Sequence, residues 1–322
     1  MRKEFWIKVL TVFVPAMLCA CGHANQLKEM KAAENAVQMQ KFVQDISAYA
    51  REIRPDFIII PQNGAELAFN EAEPDYGILD SYIAAIDGIG NEELFYDGGP
   101  EVDHYRLNML RTLKNFVKIM VSDFVSDDAN LSDSISRSLN EGFIAFPRSG
   151  DNHDYKNIPS AVTGANENDI DSLDDARNFL YMINPAHFAA KQAMLDAIAA
   201  TNYDVVLIDL FFKGNILAES DIERLKAKNN GKRRLVISYM NIGSAEMFRY
   251  YWRQEWKKGS PSWIKKEYDG YPDEYYVEYW HPQWRDIIFS GDNSYLKKII
   301  DAGFDGAYLD NVEAYYFLVF KE

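Results

Sequence analysis

The chain has 322 residues, 48% of them hydrophobic, and a formal net charge of -15. That length and apolar content suit one large α/β domain, and the acidic balance argues against nucleic acid as a partner. The two cysteines, Cys19 and Cys21, lie together near the N-terminus, which excludes a disulfide framework and leaves no cysteine for catalysis in the body of the chain.

Arg2 and Lys3 precede an apolar run from Trp6 to Met17, and Leu18-Cys19-Ala20-Cys21 then resembles a bacterial lipobox. Residues 1–20 read as a lipoprotein signal peptide, with Cys21 as the lipidated residue and 21–33 as a polar tether. Processing would remove Arg2, Lys3, Lys8 and Glu4, so the formal charge would move from -15 to -17. This places the protein in the bacterial cell envelope. Gly22 does not suggest retention at the inner membrane, so the outer membrane is preferred, with contact through the lipid anchor only. A monomer is expected.

Beyond residue 34, apolar runs bounded by turn residues predict strands at 57–61, 85–90, 118–123, 142–147, 179–183, 204–210, 234–240 and 306–310. Helical periodicity falls between most of them, at 35–53, 104–116, 131–140, 186–200, 219–228 and 294–301. The runs FIII, KIMV, VVLI and RLVI are near-continuous in aliphatic and aromatic residues, as in a parallel sheet buried on both faces. Eight strands alternating with helices predict an α/β chain folded as a (β/α)₈ TIM barrel. A doubly wound sheet is the alternative, but no glycine-rich turn follows the first strand and GIGNEE lacks phosphate-binding spacing.

Barrel active sites assemble where the strands end. Those ends read Gln62 and Asn63, Glu92 and Glu93, Asp123, Arg148, Asn184, Asp209, Asn241 with Glu246, and Asp310. Each could be an ordinary solvated loop residue, whereas the set on one rim points to a polar site. No metal or other cofactor is expected, because the five histidines are scattered without metal-binding spacing, and no G-x-S-x-G elbow marks a serine esterase.

Three stretches carry a family resemblance: VISYMNIGSAEMFRYYWRQEW at 236–256, YYVEYWHPQW at 275–284, and GFDGAYLDNVEAY at 303–315. With IIIPQNG and IDGIGNEELFY they resemble glycoside hydrolase family 114, the endo-α-1,4-polygalactosaminidase-like barrels. The resemblance implies a glycosidase, endo-acting, that cleaves an α-linked, galactosamine-containing polysaccharide with two carboxylates. A surface lipoprotein that binds glycan without turnover is the rival class. In the family's order the segments that stand first here come last, so the resemblance implies a circular permutation, with family strands five to eight followed by one to four. Residues 34–322 would then be a single barrel and 150–177 the joining segment, with the acidic ENDIDSLDDAR helix-like. Two partial barrels in a dimer, or a truncated fused gene, would explain the same order.

By the same resemblance Asp310 and Glu92 are the catalytic carboxyls, with Asp310 as nucleophile or charge stabiliser and Glu92 as general acid/base. Glu93 replaces Glu92 if the strand ends one residue differently, because strand neighbours face opposite ways. Asp209 and Glu246 match pocket-lining positions, and Arg249, at the start of the helix expected after the third family strand, could pair with either. Asn63, Tyr239, Asp123 and Arg148 are further substrate-binding candidates. Tyr308 shares a strand face with Asp310, which directs it to the same pocket. Five of the six tryptophans fall between Trp252 and Trp284. Trp252 and Trp256, four apart, fit helix packing, whereas Trp263, Tyr271, Tyr275 and Tyr276, in a loop with Gly and Pro, suit a platform for sugar rings.

Overall fold

The computed structural model describes residues 20–320. Residues 1–19 of the stretch expected to be a signal peptide lie outside the described residues, as does the side chain of Cys21. Eight parallel strands organise the fold: β1 (Ile58–Pro61), β2 (Gly88–Pro100), β3 (Lys118–Val125), β4 (Ile144–Ala145), β5 (Phe179–Tyr181), β6 (Val205–Asp209), β7 (Leu235–Asn241) and β8 (Gly306–Asp310). One sheet runs β1-β8-β7-β6-β5 and a second β2-β3-β4, and the parallel bridge between Gln62 and Gly90 joins β1 to β2. The last strand of the chain therefore sits between its first and its seventh. This is a mixed α/β fold on a parallel sheet, compatible with the expected TIM-like barrel.

The strands form where the sequence is apolar without interruption. Every residue of β1 and β7 is buried, as expected where helices cover one sheet face and side chains fill the other. On the inner face, Tyr308 of β8 is in register with Tyr239 of β7 and Ile60 of β1. Gly90 of β2 makes room for the Tyr308 ring, since a Cβ there would lie 1.9 Å from its hydroxyl.

Among the described residues no ladder joins β4 to β5. Phe146 and Phe179 meet across that seam with ring centroids 5.7 Å apart. The segment 150–177 covers it with two short 3₁₀ turns, Gly150–Asn152 and Leu173–Asp175. The acidic stretch expected to be helix-like is thus extended apart from one turn. Around it the backbone is tied to the buried Asp204, which accepts from the Asn166 side chain and the Arg177 N–H and pairs with Lys228 at 2.5 Å. A cavity of about 750 Å³ remains between this segment, β4 and the neighbouring helices, lined by Phe146, Phe188 and Tyr203.

Among the described residues, seven helices of seven residues or more surround the strands: α1 (Ala20–Ile53), α2 (His104–Leu113), α3 (Leu131–Asn140), α4 (Lys191–Ala199), α5 (Glu219–Leu225), α6 (Tyr295–Asp301) and α7 (Ala314–Phe320). The expected tether is part of α1. Its sequence, LKEMKAA, is composed of good helix formers, and polarity by itself does not separate a tether from an exposed helix. Ala32, Ala36, Met39, Val43, Ile46 and Ala50 form its buried stripe. Arg54, just beyond α1, donates to the Phe304 carbonyl at 2.6 Å and pairs with Asp305 at 3.1 Å, and Tyr279 bonds the Asn35 carbonyl at 2.6 Å. These contacts fasten the N-terminal helix to the C-terminal third of the chain.

The helix expected after β7 is absent from the described residues. Turns follow, and an antiparallel sheet of Ser244–Glu246, Tyr271–Val277 and Ile264–Tyr268, in that order, rises above the strand ends. Trp252 and Trp256 touch edge to face at 5.6 Å outside any helix, and Trp252 stacks on Tyr275.

Candidate active site

Asp310 ends β8 on the face it shares with Tyr308. Its carboxyl accepts the Tyr239 hydroxyl at 2.6 Å and the Asn311 N–H at 2.7 Å. The residue keeps some solvent exposure, but protein surrounds its carboxyl closely, and that burial pushes the pKa up to about 7. The Tyr239 bond works against burial, the charge of Glu92 adds to it, and the Asn311 bond and the more distant Glu246 follow in that order.

Glu92 reaches the same place from β2, where the ladder with β3 breaks after Glu92 and resumes at Asp97. Several groups hold the break. Asn63, itself at φ 60°, accepts the Glu92 N–H at 3.1 Å, and Arg106 donates to the Glu92 carbonyl at 2.8 Å. Asp123 accepts the N–H groups of Leu94 and Phe95, both at 2.9 Å, and the Ser134 hydroxyl at 2.7 Å. Asp123 is therefore an anchor for this loop, buried away from any substrate, in contrast to the expected binding role.

Glu93 takes a left-handed φ of 55°, so it does not alternate away from Glu92. Arg148 lies 3.0 Å from Glu93 and 3.6 Å from Glu92. The strand-parity argument for choosing between these glutamates fails at this bulge, because the backbone reversal turns both toward one arginine. Glu92 is the one whose charge is felt at Asp310.

A second group lies beside Asp310. Arg249 makes hydrogen bonds to Glu246 at 2.7 Å and to Asp209 at 2.9 Å, and is itself buried. Burial opposes its charge, but the two carboxylates hold it firmly protonated. The pairing suggested by the sequence is present, as a buried triad across β6 and the turn after β7.

Glu274, which the sequence reading missed, pairs in register with Glu246 and accepts the Ser244 hydroxyl at 3.0 Å. Burial first, and then the charge of Glu246, raise its pKa to about 8, with Asp310 adding to the shift. Reading 271–277 as an alternating strand would have put Glu274 on the face of the apolar ring of Tyr276. The loop reading hid it.

Of the four aromatic residues expected as sugar platforms, two are core. Trp263 and Tyr276 are each 1% exposed, and Trp263 packs against Trp256 and Trp284. Tyr275 is covered on one face by Trp252. Tyr271 is 57% exposed at the hairpin tip, and its phenol is raised by partial burial and then by the charges of Glu92, Glu274 and Asp310. Among the described residues no group of three or more His, Cys, Asp or Glu side chains is arranged to hold a metal ion.

Two carboxyls brought together at the C-terminal end of a parallel sheet, with aromatic and acidic side chains around them, make the kind of site that carboxylate-dependent glycoside hydrolases use. Residues 161–321, half of the chain, match the model of glycoside-hydrolase family GH114, and the protein belongs to that family. The match includes Asp209, Tyr239, Glu246, Arg249, Tyr308 and Asp310. It leaves out Asn63, Glu92, Asp123 and Arg148. Similar curated proteins are an uncharacterized protein of Methanocaldococcus jannaschii, 39% identical over 131 residues (40% of this chain, 36% of the relative), and one of Thermotoga maritima, 33% identical over 118 residues (37% and 35%). A third, from Deinococcus radiodurans, is 32% identical over 124 residues, 38% of each chain. The chain matches little more than a third of the length of these relatives.

Proposed function

We propose that the protein hydrolyses an α-linked polysaccharide containing galactosamine, with Asp310 and Glu92 as the catalytic pair. The observation that supports this reading is that the charge of Glu92 acts on the buried Asp310 carboxyl, although the two residues come from opposite ends of the chain. Glu92 gives its proton to the leaving glycosidic oxygen as the C1–O bond breaks. It then takes a proton from the water whose hydroxyl ends on C1. Asp310 carries the matching negative charge at the anomeric carbon, by attack or by its field. The Tyr239 hydroxyl and the Asn311 N–H both donate to it and favour the anion, against the burial that raises its pKa to about 7.

The acidic wall supports an amino sugar. Asp209 and Glu246 pair with one arginine, Arg249, whose charge also reaches Glu274, and Glu246 and Asp310 both raise Glu274, so a substrate ammonium group would relieve the repulsion among these carboxyls. Residues 22–322 are expected to release reducing ends from α-1,4-galactosamine polymers. Glycan binding with no release, unchanged in Glu92→Gln, would replace the enzyme by a binding protein. In the same assay Tyr271→Ala should raise KM about fivefold with kcat within about threefold, as expected for a lost stacking contact of about 1 kcal/mol. An unchanged KM would remove Tyr271 from the cleft.

The strand order also supports a permuted barrel, because β1 pairs with β8 and the family match begins ahead of β5. A chain rebuilt to start at residue 161 and run from 322 into residue 24 should fold and keep the wild-type activity. Failure to fold, when rejoined at more than one linker length, would count against permutation.

A further inference from the structure

Tyr155 lies in the segment between β4 and β5, outside the residues that match the family. It is buried, with a left-handed φ of 55°, a conformation that costs energy in an aromatic residue. Its carbonyl accepts the N–H groups of Ile183 at 3.1 Å and Asn184 at 3.2 Å. Its ring stacks on Tyr181 at 3.8 Å, and the Arg148 guanidinium lies 4.6 Å from the ring centroid. The hydroxyl bonds the Glu92 carboxylate and lies 3.1 Å from the Ser122 hydroxyl. A phenol has one hydrogen to give. With that hydrogen on Glu92, Ser122 is the donor to the phenol oxygen, and a directed chain runs Ser122, Tyr155, Glu92.

We propose that Tyr155 is a positioning residue for Glu92, which fixes the orientation of its carboxyl and sets how readily it takes up and releases the catalytic proton. The proposal rests on the glycosidase reading for the purpose of that proton, and on the geometry for the contact itself. Other groups also act on Glu92: Arg148 and Glu93 beside it, Asp310 across from it, and the phenols of Tyr181, Tyr308 and Tyr271. Tyr155 is the one that donates a hydrogen bond to it from the joining segment. The strained backbone, paired at its carbonyl and covered on the ring, gives the hydroxyl little freedom to turn away.

Tyr155→Phe keeps the ring, the stack and the backbone and removes the donor. The measurement is carbon-13 NMR of protein labelled at glutamate carboxyl carbons, with the Glu92 signal assigned by its loss in Glu92→Gln. A lost donor disfavours the carboxylate, so the titration midpoint of Glu92 should move up by about one pH unit, a tenfold change in proton affinity. Ser122→Ala should move it in the same direction by less. On galactosamine polymer, the limb of the pH–rate profile that Glu92→Gln removes should shift with the midpoint. A midpoint in a folded Tyr155→Phe within about 0.2 unit of wild type would overturn the proposal. A shifted midpoint in a protein that cleaves no glycan would uphold the positioning role and overturn the glycosidase reading alone.

Discussion

Asp310→Asn is expected to lose about a thousandfold or more in kcat while becoming more stable than wild type at neutral pH. Both effects have one cause. The site holds a carboxyl in surroundings that raise it from 3.8 to about 7, so folding works against its ionised form. The folded value lies above the unfolded one, so the group's contribution to stability is full below about pH 4 and is lost as pH rises through about 7. A shift of about three units corresponds to roughly 4 kcal/mol at the high-pH end, an upper figure. The amide escapes that loss but accepts the Tyr239 and Asn311 hydrogen bonds less well, which leaves a net gain of about 1–2 kcal/mol. Thermal unfolding at pH 5 and pH 8 checks this: the advantage of the variant should be larger at pH 8. An advantage that is the same at both values, or absent, would show that Asp310 is not held against its charge.

Arg249→Ala should have the opposite effect, a loss of roughly 3–5 kcal/mol, because it leaves two carboxylates in a buried site without their cation. Arg249 satisfies Asp209 and Glu246 together, and its guanidinium also lies 5.0 Å from the Phe248 ring and 5.4 Å from that of Phe211. Arg249→Lys should recover only part of the loss, since an ammonium group cannot make the forked contact. Urea unfolding at pH 7 measures the difference. Repeating it near pH 4, where Glu246, raised by burial, takes up a proton, should reduce it. A loss below about 1 kcal/mol would mean that water reaches the triad and shields it.

Asp310 was legible as a strand-end carboxyl because its signal is local: an apolar strand ending in a carboxylate shows both the fold element and the rim on which the carboxyl stands. Asp209 and Glu246 were visible for the same reason. Tyr155 and Glu274 were not. Neither ends a strand of the parallel sheet, and the contact from Tyr155 to Glu92 spans 63 positions of chain. Asp123 reads in the sequence like Asp209, yet it turns to backbone N–H groups of β2. A strand-end carboxylate is equally suited to cap a loop or to meet a substrate, and only the neighbouring chain decides between them. Trp263 misled for a related reason: a tryptophan among Gly and Pro reads as exposed, but the antiparallel sheet above β7 folds it into a cluster with Trp256 and Trp284.

The sequence by itself determined the parallel strands, the buried face of α1 and the polar rim, because burial pattern and strand ends depend on side chains a few positions apart. The tertiary structure decided which carboxyls meet, which arginine each one shares and where Asp310 holds its proton. Those properties follow from distances and burial in space, and chain order does not encode them. The φ of 55° at Glu93 shows the limit: one residue turned left-handed sends two adjacent glutamates to the same arginine, and no alternation rule anticipates it.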